Sequence, residues 1–344
     1  MKVGVTGITG FLGSHVGKVL LNKGNYFVRG SVRSLQNSQK VDPILDAYNG
    51  MEDNYELFEA NLKDKDSIFE FVKGLDYVIH VASPVPDVRK KMADEEVIRP
   101  AVDGTLNVLK AAHEFGVKKV VCTSSVATIQ DPFAYKLMYD HEDFVDPDQV
   151  SVAYSKSKII AEEKAWEYIK QLESENENPL QMSTIHPAYI CGPVMAKEIE
   201  FLSLTFIKQI VTGGMPMLPQ MSFGISDVRD VAEAHVNALE APAGKRYVTS
   251  GDSLYIQEIA QIIKDEFPDQ NFKVSTRVMP KLLAKFLCLF NPYLKQNMPR
   301  WGKKIKFDSS LAEEHLNFKA RPARESIRDM VNSMIEKEYI KGNK

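Results

Sequence analysis

The sequence predicts an α/β fold: a doubly wound parallel sheet followed by a smaller, mostly helical C-terminal domain. Short apolar runs alternate strictly with helical stretches up to about residue 190, which is typical of a parallel sheet covered by helices on both faces. A glycine-rich turn joins the first strand to the first helix, and after Gly192 the alternation weakens into helices mixed with Gly-, Pro- and Met-rich loops. We therefore expect one domain over residues 1–190 and a second over residues 191–344. Within the second, the segment of about 225–250 is a candidate to pack as part of the first domain.

Each element of this prediction has its own local signal. Lys2–Thr6 is a brief apolar strand, and the helical periodicity from Gly10 to Lys23 stops at Gly24, a residue suited to closing a helix. Short apolar runs indicate further strands at Tyr26–Val32, Glu56–Ala60, Asp76–Ala82, Val117–Thr123 and Met182–Ile190. Helical spacing indicates further helices at Val97–Phe115, about Val152–Leu172, Ile256–Phe267 and Ser326–Tyr339.

Composition argues against several classes of function. The 344 residues carry 43 Lys and Arg against 46 Asp and Glu, a net charge of −3, so we expect neither a nucleic-acid nor a membrane partner. The three cysteines lack paired spacing and the seven histidines form no metal-binding motif, so we expect no disulfide framework and no metal. No apolar run approaches the ~18 residues of a spanning helix. These features predict a cytoplasmic protein.

The turn after the first strand has the chemistry of a phosphate site. Its glycines follow the spacing GxxGxxG, which lets the chain turn sharply and bring backbone N–H groups against a pyrophosphate. The N-terminus of the following helix adds partial positive charge. The strand–turn–helix context therefore predicts a dinucleotide site of the Rossmann type, formed by Gly7, Thr9, Gly10, Phe11, Leu12 and Gly13.

The end of the second strand indicates which dinucleotide is bound. An NAD site usually places a carboxylate there to hold the ribose 2′-hydroxyl, whereas this strand ends in Val32, Arg33 and Ser34. A guanidinium binds phosphate through a fork of donors, and Lys40 lies seven residues further on. The sequence therefore predicts NADPH as the cofactor.

A tyrosine and a lysine are spaced to share one helix face. Tyr154 and Lys158 stand at i and i+4, and Ser125 ends the fifth strand, at the sheet edge where ligands of doubly wound folds bind. At ~4 Å and an effective dielectric of ~20, a lysine ammonium would favour the phenolate by roughly 4 kcal/mol. Such a tyrosine exchanges a proton with a substrate oxygen, and the serine hydrogen-bonds the same oxygen.

These motifs together resemble the extended short-chain dehydrogenases/reductases. The similarity is to the branch that contains dihydroflavonol reductases and yeast-type methylglyoxal and aldehyde reductases, and it runs almost end to end. Besides the glycine loop, the serine and the tyrosine–lysine pair, it is carried by Val32–Ser34, His80–Pro84, Pro100–Thr105, Pro187–Pro193, Asp227–Ala232 with His235, and Ile327–Asp329.

The resemblance implies roles for single residues. Ser125, Tyr154 and Lys158 form the catalytic set. Tyr154 and Lys158 also contact the cofactor, Lys158 at the nicotinamide ribose. The remaining cofactor contacts are Arg33 and Lys40 at the 2′-phosphate, Val81, Ala82 and Ser83 along the nucleotide, and Pro187 and Ile190 at the nicotinamide. Asn61 with Leu62 replaces the usual acidic residue before leucine at the adenine, and Ala101 stands where relatives often carry asparagine. Pro84 and Tyr189 join Ser125 and Tyr154 as candidate substrate contacts.

The resulting expectation is an NADPH-dependent carbonyl reductase that acts on an aldehyde or ketone, a small-molecule substrate. A nucleotide-sugar epimerase or dehydratase on the same scaffold is the first alternative, although Val126-Ala127-Thr128 stands where dehydratases often have an Asp-Glu pair. A non-catalytic NADPH sensor is the second, although such proteins often lose the tyrosine. Monomer and homodimer both remain open.

Overall fold

The structure, a computed structural model, describes residues 1–83, 94–131, 136–197 and 201–341. Its strands are β1 (Lys2–Thr6), β2 (Phe27–Val32), β3 (Tyr55–Glu59), β4 (Tyr77–His80), β5 (Lys119–Thr123), β6 (Met138–Tyr139), β7 (Gln181–Pro187), β8 (Tyr189–Cys191), β9 (Ser222–Asp227), β10 (Arg246–Thr249), β11 (Ser253–Tyr255) and β12 (Lys306–Phe307). Its helices are α1 (Phe11–Lys23), α2 (Ser38–Ala47), α3 (Lys65–Val72), α4 (Asp94–Glu114), α5 (Ala153–Glu175), α6 (Leu202–Thr212), α7 (Val228–Asn237), α8 (Ile256–Glu266), α9 (Lys281–Leu287), α10 (Pro292–Asn297), α11 (Ser310–Leu316) and α12 (Ala323–Glu336).

A seven-stranded parallel sheet in the order β10-β7-β5-β4-β1-β2-β3 forms the centre of the fold. Neighbouring residues on one strand belong to different hydrophobic clusters: Val78 packs with α3, α4 and α5, whereas Ile79 packs with α1 and α7. This alternation arises because successive side chains of a strand point to opposite faces. The Rossmann-like α/β architecture predicted from the sequence is confirmed.

The glycine after α1 ends the helix, as its place in the sequence predicts. Gly24 has a φ of 73°, in the left-handed region, and its N–H donates to the carbonyl of Leu21, so α1 ends where the sequence predicts. Two helices between the early strands were not predicted. α2 contains Pro43, which weakens the helical signal. α3 is short and is capped by the preceding Asp64, whose carboxylate accepts from the backbone N–H groups of Asp66 and Ser67.

The strand predicted at Met182–Ile190 is in fact two strands. β7 ends at Pro187, which lacks an N–H, and the N–H of Ala188 bonds instead to the Ser226 hydroxyl at 2.9 Å. The chain thereby leaves the large sheet, and β8 joins a second sheet in the order β11-β9-β8.

The C-terminal part mixes this small sheet with helices α6 and α8–α12. β10 lies within the 225–250 stretch and pairs with β7 at the edge of the large sheet. The division of the chain into domains at residue 190 stays a prediction. Among the described residues, none of the helices combines the length and the hydropathy of a membrane-spanning segment.

Candidate active site

The glycine loop lies at the carboxyl end of β1, in the middle of the sheet. Gly7 has a φ of 70°, and its N–H donates to the Ser31 hydroxyl at 3.0 Å. A Cβ on Gly13 would lie 2.2 Å from the Gly7 carbonyl oxygen, so no larger residue fits the close approach of helix and loop. Gly10 precedes α1 and no side chain caps the helix. The first-turn N–H groups are therefore left to bind an anion.

The remaining loop residues differ in exposure. Thr9 is half-buried, whereas Phe11 and Leu12 are each 7% exposed. The Phe11 ring stacks on Phe201, with centroids 4.0 Å apart and planes at 8°. Phe201 immediately precedes α6, so the helix of the phosphate loop is packed directly against the C-terminal part of the chain.

The residue after β2 is an exposed arginine. Arg33 has no ion pair within the part of the chain that the structure describes, so its guanidinium is available to an anionic ligand. Lys40, on the first turn of α2, is half-buried. Glu59, at the end of β3, accepts the N–H of Leu35 at 3.1 Å and thereby holds the loop that carries Arg33.

The segments after β3 and β4 line the same sheet edge. The Asn61 side-chain oxygen accepts the N–H of Lys63 at 3.1 Å, which leaves its second lone pair for a ligand. Leu62 lies under α4, where a Cβ on Gly104 would come within 3.1 Å of it. The half-buried residues Val81, Ala82 and Ser83 follow β4. The predicted substrate contact Pro84 lies outside the described residues.

Ser125 follows β5 and begins the short 3₁₀ turn Val126–Thr128. Its hydroxyl oxygen accepts the N–H of Ala127 at 3.1 Å. The hydroxyl hydrogen is therefore directed elsewhere and can be donated to a ligand. Because α5 packs against this turn, the structure brings Ser125 to the helix that carries Tyr154 and Lys158.

Lys158 is buried, and its ammonium donates to the Thr123 carbonyl at 3.2 Å. Burial lowers the pKa of Lys158 to about 8. Burial also raises the pKa of Tyr154 above its ordinary value. In this structure the ammonium is bonded to the backbone of β5, and the effect of Lys158 on the phenol of Tyr154 stays a prediction.

The start of α5 is held by a distant side chain. Val152 precedes the helix and cannot cap it, and the Gln296 side-chain oxygen of α10 accepts the N–H groups of Ser151 and Val152 at 3.1 and 3.0 Å. Gln296 therefore positions the first turn of α5, which carries Tyr154. Nothing in the local sequence indicates this contact.

A buried ion pair lies behind the candidate catalytic residues. Glu162 and Arg246 have side chains only 5% and 8% exposed, and Arg246 Nε lies 2.7 Å from Glu162 Oε1. The Ser124 hydroxyl donates to the other carboxylate oxygen at 2.6 Å. Arg246 also donates to the carbonyls of His141 and Asp143 at 2.8 and 2.6 Å. The pair thus joins α5, β10 and the loop before α5 to the residue that precedes Ser125.

His186 completes this cluster and is fully buried. Its Nδ1 lies 3.3 Å from the Ser125 carbonyl and its Nε2 lies 2.7 Å from the Thr184 hydroxyl. Burial lowers the pKa of His186 to about 4, so the ring is neutral near pH 7. Burial alone would raise the pKa of Glu162, but the Arg246 guanidinium and the hydrogen bond from Ser124 hold it below its ordinary value.

The sequence analysis missed Glu162 and Arg246. One signal was present, because Glu162 stands four residues after Lys158 and so shares its helix face. The partner Arg246 lies 84 residues away and has no local signal.

The residues at the end of β7 and on β8 differ in their burial and contacts. Pro187 is buried and Ile190, on β8, is half-buried. Tyr189 belongs to an aromatic cluster: its ring stacks on Phe223, with centroids 5.4 Å apart, and its hydroxyl donates to the Ser203 carbonyl at 2.9 Å. Its contacts are therefore those of a packed side chain, and its role as a substrate contact stays a prediction.

The fold and this arrangement define a Rossmann-like α/β protein of the extended short-chain dehydrogenase/reductase class. The chain belongs to the NAD dependent epimerase/dehydratase family, which it matches over residues 3–249. This match confirms the family resemblance that the motifs indicate.

Individual relatives are similar over most of their length. A cinnamoyl-CoA reductase of Medicago truncatula is 34% identical over 273 residues, which cover 77% of this chain and 80% of that protein. A bifunctional dihydroflavonol 4-reductase/flavanone 4-reductase of Malus domestica is 32% identical over 285 residues, 78% of this chain and 77% of that protein. The crystal structure of Gre2 from Candida albicans in complex with NADPH is 29% identical, with a TM-score of 0.77 over 98% of this chain and 99% of that one.

Proposed function

We propose that the chain is an NADPH-dependent carbonyl reductase that transfers hydride to an aldehyde or ketone and gives an alcohol. The observation that carries this proposal is the meeting of Ser125 with the helix of Tyr154 and Lys158 at the sheet edge that also holds the glycine loop. The relatives named as cinnamoyl-CoA and dihydroflavonol reductases, and the Candida albicans complex with NADPH, support the same activity.

The residues present fit the cofactor. The uncapped first turn of α1 offers backbone donors for the pyrophosphate. A Cβ at Gly13 would fill the space where the helix and the glycine loop approach each other. Arg33 and Lys40 would hold the 2′-phosphate, and Lys158 the nicotinamide ribose. The other residues that would hold it are Asn61, Leu62, Val81, Ala82, Ser83, Pro187 and Ile190. When bound, NADPH supplies the hydride.

The chain itself supplies the proton and the orientation. Because burial raises its pKa, Tyr154 is protonated near pH 7 and can donate its hydroxyl proton to the carbonyl oxygen of the substrate. The Ser125 hydroxyl, fixed by the N–H of Ala127, donates a hydrogen bond to the same oxygen. The Lys158 ammonium lies on the same helix face as Tyr154 and stabilises the phenolate left after proton transfer.

The two alternatives predict different results in one assay. NADPH absorbance is followed while aldehydes, diketones, flavanonols and hydroxysteroids are added to the full chain. A reductase oxidises NADPH in proportion to added carbonyl. An epimerase interconverts nucleotide sugars without net NADPH loss, and a sensor binds NADPH without oxidising it. Either of those two results would contradict the proposal.

The choice of cofactor is expected to depend on Arg33. Charge-assisted hydrogen bonds to phosphate contribute roughly 1.5–3 kcal/mol, so Arg33→Ala should weaken NADPH binding by about 10- to 150-fold and leave NADH nearly unchanged. Because the 2′-phosphate is remote from the reacting carbon, the effect on kcat/KM should lie in KM. Dissociation constants for both cofactors measure it, with Arg328→Ala, an exposed arginine far along the chain, as the control. Equal loss of NADPH and NADH binding would contradict the assignment.

A pH profile tests the state of Lys158. Its pKa of about 8 means that the ammonium is charged below that pH and becomes neutral above it. We therefore expect kcat/KM for NADPH, which follows ionisations of the free enzyme, to fall as the pH rises through about 8. Lys158→Arg keeps its charge at every accessible pH, so its lower activity should lack this step. The same step in the arginine variant would assign it to another group.

A further inference from the structure

α9 and the turn that follows it present four large apolar side chains to solvent. Leu282, Phe286, Leu289 and Phe290 are 81%, 59%, 74% and 75% exposed, and we call them the apolar face. Their spacing of three and four residues places them on one side of the helical segment. On the opposite side, Ala284 is fully buried in the core. The segment is therefore apolar on both its inner and its outer side.

Such a face differs from the usual scatter of exposed hydrophobic residues. Single exposed leucines are normal on protein surfaces, whereas a contiguous group of large apolar side chains marks an interaction site. The backbone stays hydrogen-bonded after α9 ends: the N–H groups of Leu289 and Phe290 donate to the carbonyls of Phe286 and Leu287 at 3.2 and 3.0 Å. A hydrogen-bonded turn thus carries the last two members of the face.

The segment of the chain that carries the apolar face is strongly basic. Residues 270–307 contain nine Lys and Arg and no Asp or Glu, in a chain whose net charge is −3. The exposed cations of this segment include Lys273, Arg277, Lys281, Lys285 and Lys295, and none of these five forms an ion pair within the described ranges. Lys281 and Lys285 lie on α9 itself, beside the apolar face. Positive charge is therefore concentrated where apolar surface is exposed.

We propose that this surface docks the protein onto a membrane whose lipids carry negative charge. Apolar side chains of an amphipathic helix enter the boundary between headgroups and acyl chains, while flanking lysines bind anionic headgroups. Charge decides the occupant: a second copy would bring two sets of uncompensated cations together, and a neutral lipid surface would not attract them. The net charge of the whole chain led to the expectation of no membrane partner. That expectation overlooks a local basic segment, because a net charge is summed over all 344 residues.

The test is co-sedimentation of the full chain with lipid vesicles. We expect binding to phosphatidylcholine vesicles that contain about 30% phosphatidylserine, little binding to pure phosphatidylcholine, and release by added salt, as for attraction to a charged surface. Each lysine near such a surface contributes about a fivefold gain in partitioning, so Lys281→Gln/Lys285→Gln should lower it about 25-fold. Leu289→Ser/Phe290→Ser should abolish binding.

Matched variants keep the test specific. Leu45→Ser, which alters a leucine that is 40% exposed on α2, and Lys164→Gln, which removes an exposed cation of α5, should bind vesicles like the wild type. The unfolding midpoint of each variant shows that the chain has folded. Absence of wild-type binding, or equal binding to neutral and anionic vesicles, would overturn the proposal. So would a wild-type dimer that Leu289→Ser/Phe290→Ser converts to a monomer without any vesicle binding, since the occupant would then be a second copy.

Discussion

Tyr154→Phe is expected to fold and to bind NADPH normally, and to reduce carbonyls at least ~100-fold more slowly than the wild type, as for loss of a general acid. The ring stays in place on the first turn of α5, and only the hydroxyl that donates the proton is removed. Initial rates of NADPH oxidation at saturating carbonyl measure the loss. Fluorescence titration with NADPH shows that the cofactor site is intact.

The same helix offers a control for this substitution. Tyr168 is half-buried on α5 and distant from Ser125 along the helix, so Tyr168→Phe should keep near wild-type turnover. If Tyr154→Phe also turned over at the wild-type rate, Tyr154 would not be the acid. A chain that binds NADPH but whose turnover does not depend on Tyr154 would fit the sensor alternative better.

Glu162→Gln is expected to reduce the free energy of unfolding by about 3–5 kcal/mol, because it leaves the Arg246 guanidinium buried without its counter-charge. The substitution keeps almost the same volume, so the loss reports charge rather than packing. Urea denaturation measures it. Glu167→Gln, which breaks the exposed pair with Lys164, should cost no more than about 1 kcal/mol.

A double variant separates pairing from other roles of the carboxylate. Glu162→Gln/Arg246→Met removes both charges, so it should recover part of the stability that Glu162→Gln loses. The two variants should also differ in acid. Since the pKa of Glu162 is lower in the folded chain than its ordinary 4.5, its contribution is complete above that pH and is lost as the pH falls towards the folded pKa. A wild-type stability that does not change over this range, relative to Glu162→Gln, would contradict the pairing.

Local patterns in the sequence were enough for the parallel sheet and for much of the candidate site. The strand Lys2–Thr6 and the helix that ends before Gly24 are found where they were predicted. Gly7 and Gly13 form the predicted close turn, and Tyr154 and Lys158 share α5. These features are predictable because periodicity, glycine conformation and i,i+4 spacing act between residues near in the chain.

Other features depended on where distant segments meet. Arg246 pairs with Glu162 across 84 residues, Gln296 binds the backbone just before α5 from 144 residues away, and β10 completes the sheet beside β7. The pKa of Tyr154 is raised by burial, and the degree of burial cannot be read from the spacing of residues. The sequence alone determined the local elements and the chemistry each could carry. Tertiary structure decided the partners, the burial and the exposure of the apolar face, because these depend on contacts that form only when the whole chain has folded.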